Sequence, residues 1–227
     1  MKNKCIHGFT ILEMAIVLLI VGLLLGGGLS VLGVQMELQR VKGTEHLLDE
    51  AREALIGFAV VNGRLPRPAT SATNGVENPA NCPTEVSCSG FIPWASLGTT
   101  RSDAWGKTLR YSVTRNFANP GLTLGTAGTR NIDTRINGGP LVPVAIGVSA
   151  VVFSHGRRNF GTTEAGVAVP NLAVTNTDEI NNDAGPLAYV QRTPSEQAVA
   201  PGEFDDIVIW IAPGILFNRM VQAGRLP

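Results

Sequence analysis

Glu13 is the residue near the start of this chain whose charge is least in keeping with its neighbours. No other acid precedes Glu37, and residues 14–34 carry no charge at all. An Asp at mid-membrane costs about 2.5 to 3.5 kcal/mol on insertion scales; a Glu near the interface costs less, though still more than a leucine. A carboxylate kept there needs a partner. Alone, Glu13 could snorkel at the edge of a signal anchor. Its company argues for more: Lys2 and Lys4 form a short basic leader, and Gly8-Phe9-Thr10-Ile11-Leu12-Glu13 follows.

Other reactive residues lie far downstream. Cys82 and Cys88 share a Pro/Asn/Ser-rich loop, where an oxidising compartment could join them as a local staple. Cys5 lies before the apolar run and is separated from both. In Asp103-Ala104-Trp105-Gly106-Lys107, Asp103 is expected to cap a turn and Gly106 to relax it, with Trp105 and Tyr111 anchoring the next strand in the core. Asp205-Asp206 reads as a solvated strand start, since calcium needs several more oxygen ligands. Ser154-His155-Gly156-Arg157-Arg158-Asn159 reads as a polar loop, because no pattern supplies the base and orienting acid of a nucleophilic serine. No metal or cofactor site is expected. His7 sits in the leader and His46 on a helix face.

The elements that must position these residues follow from hydropathy. Residues 14–34 match the ~20 residues that cross a hydrocarbon core of about 30 Å. Leu38, Val41, Leu48, Leu55 and Phe58 then form an amphipathic stripe, with Leu47, Ala51, Ala54 and Ala59 on its flanks. A single helix over residues 9–61 is expected, stopped by Asn62-Gly63 and by Pro66 and Pro68. Residues 66–90 read as a loop. Strands are expected at 108–115, at 142–154 as two strands bent near Gly147, at 187–191 and at 206–212. Segments 116–141 and 155–186 read as connections. A terminal helix over 213–223 should turn Ile215, Leu216, Met220 and Ala223 inward. The fold class is α+β: a long N-terminal helix, transmembrane in its first half and amphipathic in its second, packed on an antiparallel β-sheet domain.

Lysine plus arginine and aspartate plus glutamate stand at 18 each, so no global field points to nucleic acid. The basic leader keeps the N-terminus cytoplasmic and sends the chain after residue 35 across the membrane. Nothing resembling a small-residue signal-peptidase site follows the Gly26-Gly27-Gly28 stretch.

The basic leader, Gly8, Phe9, three further residues and Glu13 resemble the N-terminal pattern of the type IV prepilin and type II secretion pseudopilin family. The likeness covers roughly the first 30 residues. Residues 103–111 are similar to an Asp-Pro-Trp-Gly…Tyr stretch of several pseudopilins, with Ala104 in place of the proline. The resemblance implies that a membrane aspartyl peptidase, the prepilin peptidase, cuts between Gly8 and Phe9 and then N-methylates Phe9. It makes Glu13 the assembly residue. The implied organisation is a leader over 1–8, a transmembrane segment over 9–34, its amphipathic continuation over 35–63 and a periplasmic β-rich domain over 64–227. The implied partners are other pilin or pseudopilin subunits, an inner-membrane assembly platform and a cytoplasmic assembly ATPase. The expected protein is therefore a non-enzymatic structural subunit of a pilus or secretion pseudopilus. A DNA- or surface-binding minor pilin using Arg157 and Arg158, and a membrane-tethered periplasmic enzyme using His155, are the alternatives.

Overall fold

The computed structural model describes residues 9–185 and 187–226; the side chains of residues 24–31 lie outside that description. Gly8 and the basic leader therefore fall outside the described residues. The chain divides into two units, Met1–Val41 and Lys42–Pro227.

The first element is α1 (Ile11–Asn62), whose bounds match the expected helix to within two residues. In the first unit its apolar side chains lie open, Ile11 being 90% exposed and Phe9 just before it 77%. Leu38, expected on the buried stripe, is also exposed, because nothing within its own unit covers it. Among the described residues, no helix is long and apolar enough to cross a membrane.

In the second unit α1 packs on a sheet. Thr44, Leu48, Ala51, Leu55, Ile56 and Ala59 recur at helical spacing and are buried. The five apolar ones meet Tyr111, Val113, Ala150, Val152 and Ile211 in one core. Each large aliphatic side chain so buried contributes about 1.5 to 3 kcal/mol. The helix ends where expected: Gly63 takes the left-handed φ of 71° and its N–H reaches the Ala59 carbonyl at 2.8 Å.

Beyond α1 come β1 (Ser89–Phe91), α2 (Trp94–Leu97), β2 (Arg110–Val113), α3 (Arg115–Ala118), β3 (Arg130–Arg135), β4 (Leu141–Val148) and β5 (Ala150–Ser154). α4 (Thr177–Asp183), β6 (Ala188–Val190), β7 (Ile207–Ile211) and α5 (Pro213–Gln222) complete the fold. The sheet under α1 has the order β1-β2-β5-β7 and is antiparallel throughout. A second sheet, β4-β3-β6, includes a parallel pair, β3 with β6, which the expected antiparallel domain did not contain. β3 lies in a segment expected to be a connection, and so does α4. Both are rich in polar residues that tertiary partners satisfy. α5 buries Leu216 and Met220 as expected, but Ile215 and Ala223 point to solvent.

The expected bend near Gly147 divides β4 from β5. Gly147 has φ of 68°, and Gly128 packs so closely against it that a Cβ there would lie 2.1 Å from the Gly147 carbonyl oxygen. That approach requires glycine at 128.

Candidate functional site

At the start of α1, Thr10 and Glu13 form a capping box. Glu13 N–H donates to Thr10 Oγ1 at 3.2 Å, and Thr10 N–H donates back to Glu13 Oε2 at 3.5 Å. Thr10 O begins the helical ladder by accepting from Met14 N at 3.1 Å. Two backbone donors that a helix start leaves without partners are thereby satisfied. The Thr-x-x-Glu signature was present in the sequence, beside the membrane argument for Glu13. Phe9, Thr10 and Glu13 are all exposed, as are the described apolar side chains of α1 from Ile11 to Leu23.

Cys82 and Cys88 are both buried free thiols. Their mutual interaction lowers the pKa of Cys82 and raises that of Cys88. The loop they flank delivers Glu85 to Arg130, whose side chain is 0% exposed. Arg130 Nη1 donates to Glu85 Oε2 at 3.0 Å, and Nε to Ser112 Oγ at 2.8 Å. Nη2 donates to the carbonyls of Glu85 at 2.6 Å and Val113 at 3.0 Å. A fully buried guanidinium is thus neutralised and its nitrogens are all paired, as burial of a charge demands.

The turn at 103–107 forms as expected: Asp103 Oδ1 accepts the N–H groups of Trp105 and Lys107, each at 2.9 Å, and Gly106 has φ of 77°. Tyr111 is buried with its hydroxyl donating to Pro66 O at 3.0 Å. Trp105 does not reach the core; it is half-buried, because the turn directs it to the rim. Asp103 Oδ2 accepts from Ser154 Oγ at 2.6 Å, and burial raises the Asp103 pKa.

One further expectation is corrected here: Asp205-Asp206 is not a solvated strand start, since Asp206 is buried and Asp205 half-buried. Residues 155–159 form a polar loop as expected, but Ser154 ends β5, and both Ser154 and His155 are buried. His155 has a side chain 0% exposed, with Nδ1 3.3 Å from Asp206 Oδ1 and Nε2 3.3 Å from Asp183 Oδ1. Burial opposes its protonation, but the charges and hydrogen bonds of Asp206 and Asp183 outweigh it and raise its pKa. The hydrogen bond from His155 in turn lowers the pKa of Asp183. Lys107 Nζ donates to Asn159 O at 3.0 Å. Its pKa is lowered by burial, against the opposing pull of Asp205 and Asp103.

Glu179, Asp205 and Asp206 bring carboxylate oxygens within 4.8 Å of one another, an arrangement to be weighed as a cation site. Protein donors already occupy it. Glu179 Oε1 accepts from Asp205 N at 2.8 Å, and Oε2 from Asn176 Nδ2 at 2.7 Å and Asn159 Nδ2 at 3.1 Å. Asp205 Oδ2 accepts from the N–H groups of Arg157 and Arg158 at 2.9 and 3.0 Å. Asp206 Oδ2 accepts from Asn182 Nδ2 at 2.8 Å. Only Asp205 Oδ1 lacks a partner. Burial, with Glu179 and Asp206 beside it, pushes the Asp205 pKa up to about 7. A hard cation needs six or more oxygens and would have to displace these donors. The cluster is a hydrogen-bonded joint that ties α4 to the start of β7.

Arg158, the centre of the suggested nucleic-acid patch, is paired with Glu196 and lies 3.6 Å from Glu203. His46 lies on an exposed helix face beside Glu50, as expected. Comparison of the chain with family models, with curated proteins and with solved structures returns no match.

Proposed function

We propose that the chain is a non-enzymatic structural subunit, a pseudopilin or minor pilin, that assembles through its N-terminal helix into a type IV pilus or type II secretion pseudopilus. The observation that carries this reading is the exposed apolar first part of α1, with one carboxylate, Glu13, in its first turn. Such a surface has no stable place in water. Lipid and then neighbouring helices are the environments that suit it.

Under this proposal residues 9–34 span the inner membrane, a reading that rests on the uncharged run at 14–34. The N-terminus is cytoplasmic and the β-rich domain periplasmic. Prepilin peptidase cuts between Gly8 and Phe9 and methylates Phe9. Glu13 then pairs with the amine of a neighbouring Phe9, and an inner-membrane platform extracts the subunit into the filament. Loss of one partner from a buried ion pair costs about 3 to 5 kcal/mol, enough to fix which register a subunit accepts. In the periplasm Cys82 and Cys88, both buried at the two ends of one loop, are joined in a disulfide by that compartment's thiol oxidants.

The buried position of His155 between two aspartates supports a structural role over a catalytic one. The pairing of Arg158 with Glu196 leaves the DNA-binding alternative without a favouring observation. The test is Glu13→Val: a processed protein that fails to enter filaments supports the proposal, and normal filaments overturn it.

A further inference from the structure

A cleft of about 480 Å³ opens between the β3–β4 turn and the segment after β6, with Arg135 and Arg192 in its wall. Its volume lies within the range of small-ligand sites, roughly 300 to 1,000 Å³. Both guanidiniums turn to one carboxylate. Arg135 Nε lies 3.0 Å from each oxygen of Asp178, and Arg192 Nε lies 2.7 Å from Asp178 Oδ2. Asp178 is itself buried, and no acidic residue lines the cleft. Two permanent positive charges therefore share one negative charge, leaving an excess of one cation at the wall.

The donors are only partly used. Arg135 Nη1 donates to Gly139 O at 2.9 Å, which fixes the β3–β4 turn against it. Arg192 Nη2 donates to the carbonyls of Gly202 at 3.0 Å, Glu203 at 3.4 Å and Pro201 at 3.5 Å. Its guanidinium carbon lies 4.5 Å from the centroid of the Phe204 ring. These contacts engage Arg192 Nε and Nη2, and the side chain is only 8% exposed. A guanidinium held by a carboxylate, by carbonyls and on its face by an aromatic ring is fixed in place, so Nη1 is pre-organised for an acceptor in the cleft, which lowers the ordering cost of binding. Thr193, Ser195 and Gln197 add neutral polar groups to the same wall.

We propose that this cleft binds a compact ligand carrying an oxyanion, phosphate or carboxylate, which completes the charge balance of Arg135, Arg192 and Asp178. An anionic oxygen accepting from Nη1 of Arg192 would make a charge-assisted hydrogen bond, the stronger kind. The site goes beyond the filament reading and does not depend on it: failure of either leaves the other standing. Inorganic phosphate and a carboxylated sugar present the same chemistry from different sources.

The experiment titrates the full chain in detergent micelles, at low ionic strength, with inorganic phosphate in one arm and glucuronate in the other. Neutral glucose and sodium chloride serve as controls, and the arginine side-chain N–H resonances are followed by NMR. Saturable shifts at Arg192 with either oxyanion and none with glucose are expected. Phosphate alone would identify a phosphate ligand, and tighter binding of glucuronate an acidic sugar. Arg192→Gln risks disturbing Asp178, so Gln197→Glu is the decisive variant: it adds a negative charge to the wall without touching the Arg–Asp cluster. A loss of about tenfold or more in affinity is expected for it. No saturable response to either oxyanion, an equal response to chloride, or unchanged affinity in Gln197→Glu would each overturn the proposal.

Discussion

Thr10 and Glu13 each hold the other's backbone N–H, so the carboxylate proposed to recognise a neighbouring subunit also caps its own helix. The two roles separate by substitution. Glu13→Gln keeps an oxygen acceptor for the Thr10 N–H but removes the charge. Thr10→Val removes the hydroxyl half of the box at a cost of about 1 kcal/mol while the charge stays. Filament yield should collapse in Glu13→Gln and persist, reduced, in Thr10→Val. Equal behaviour of the two variants would reduce Glu13 to a cap.

The joint around His155 makes stability depend on pH. Its folded pKa is raised, so its contribution is fully present below the unfolded value of about 6.5 and is lost as pH rises through the folded one. Asp205 acts in the same direction. Its folded pKa of about 7 lies above the ordinary value of 3.8, so folding favours its protonated form and stability declines across that interval. The unfolding temperature of the chain should therefore fall as pH is raised from mildly acidic to mildly alkaline. His155→Gln should flatten the upper part of that slope. A flat profile in the parent protein would show that the joint does not titrate as described.

Arg130 is a fully buried charge in the second unit. Glu85→Ala removes its counter-charge and leaves a guanidinium with 0% exposure paired only with neutral acceptors. A loss of about 3 to 5 kcal/mol is expected in denaturant unfolding. Arg130→Met combined with Glu85→Ala should recover much of it, since replacing both partners avoids the uncompensated charge.

Cys82 and Cys88 should resist alkylation in chain recovered from the periplasm without reductant, and react after reduction and unfolding. A disulfide closing so short a loop stabilises less than the roughly 3 kcal/mol of a 15-residue loop. Cys82→Ser with Cys88→Ser should therefore fold with only a modest fall in unfolding temperature. Ready alkylation of the unreduced, unfolded chain would show that the pair stays as thiols.

What the sequence announces depends on where the physical signal is local. The stop at Asn62-Gly63, the strands β5 and β7, and the turn capped by Asp103 are legible because apolar periodicity or turn chemistry lies within a few residues. β3 is hidden because Arg-Asn-Ile-Asp-Thr-Arg offers one apolar residue, and its buried Arg130 is made tolerable only by Glu85, 45 residues away. α4, Thr-Asp-Glu-Ile-Asn-Asn-Asp, buries its acids and amides rather than an apolar face, so no hydrophobic stripe marks it. His155 and Asp206 stand 51 residues apart, and nothing in either neighbourhood foretells their contact. At the N-terminus the reverse holds. The roles proposed for Gly8, Phe9 and Glu13 rest on residue type and spacing alone, since the proposed partners are other molecules.

Mass spectrometry of the mature N-terminus, on chain produced in a cell with active prepilin peptidase, bears most directly on the subunit reading. A polypeptide beginning at N-methylated Phe9 is the expected product. A chain that still begins at Met1, with residues 1–8 intact, would contradict it.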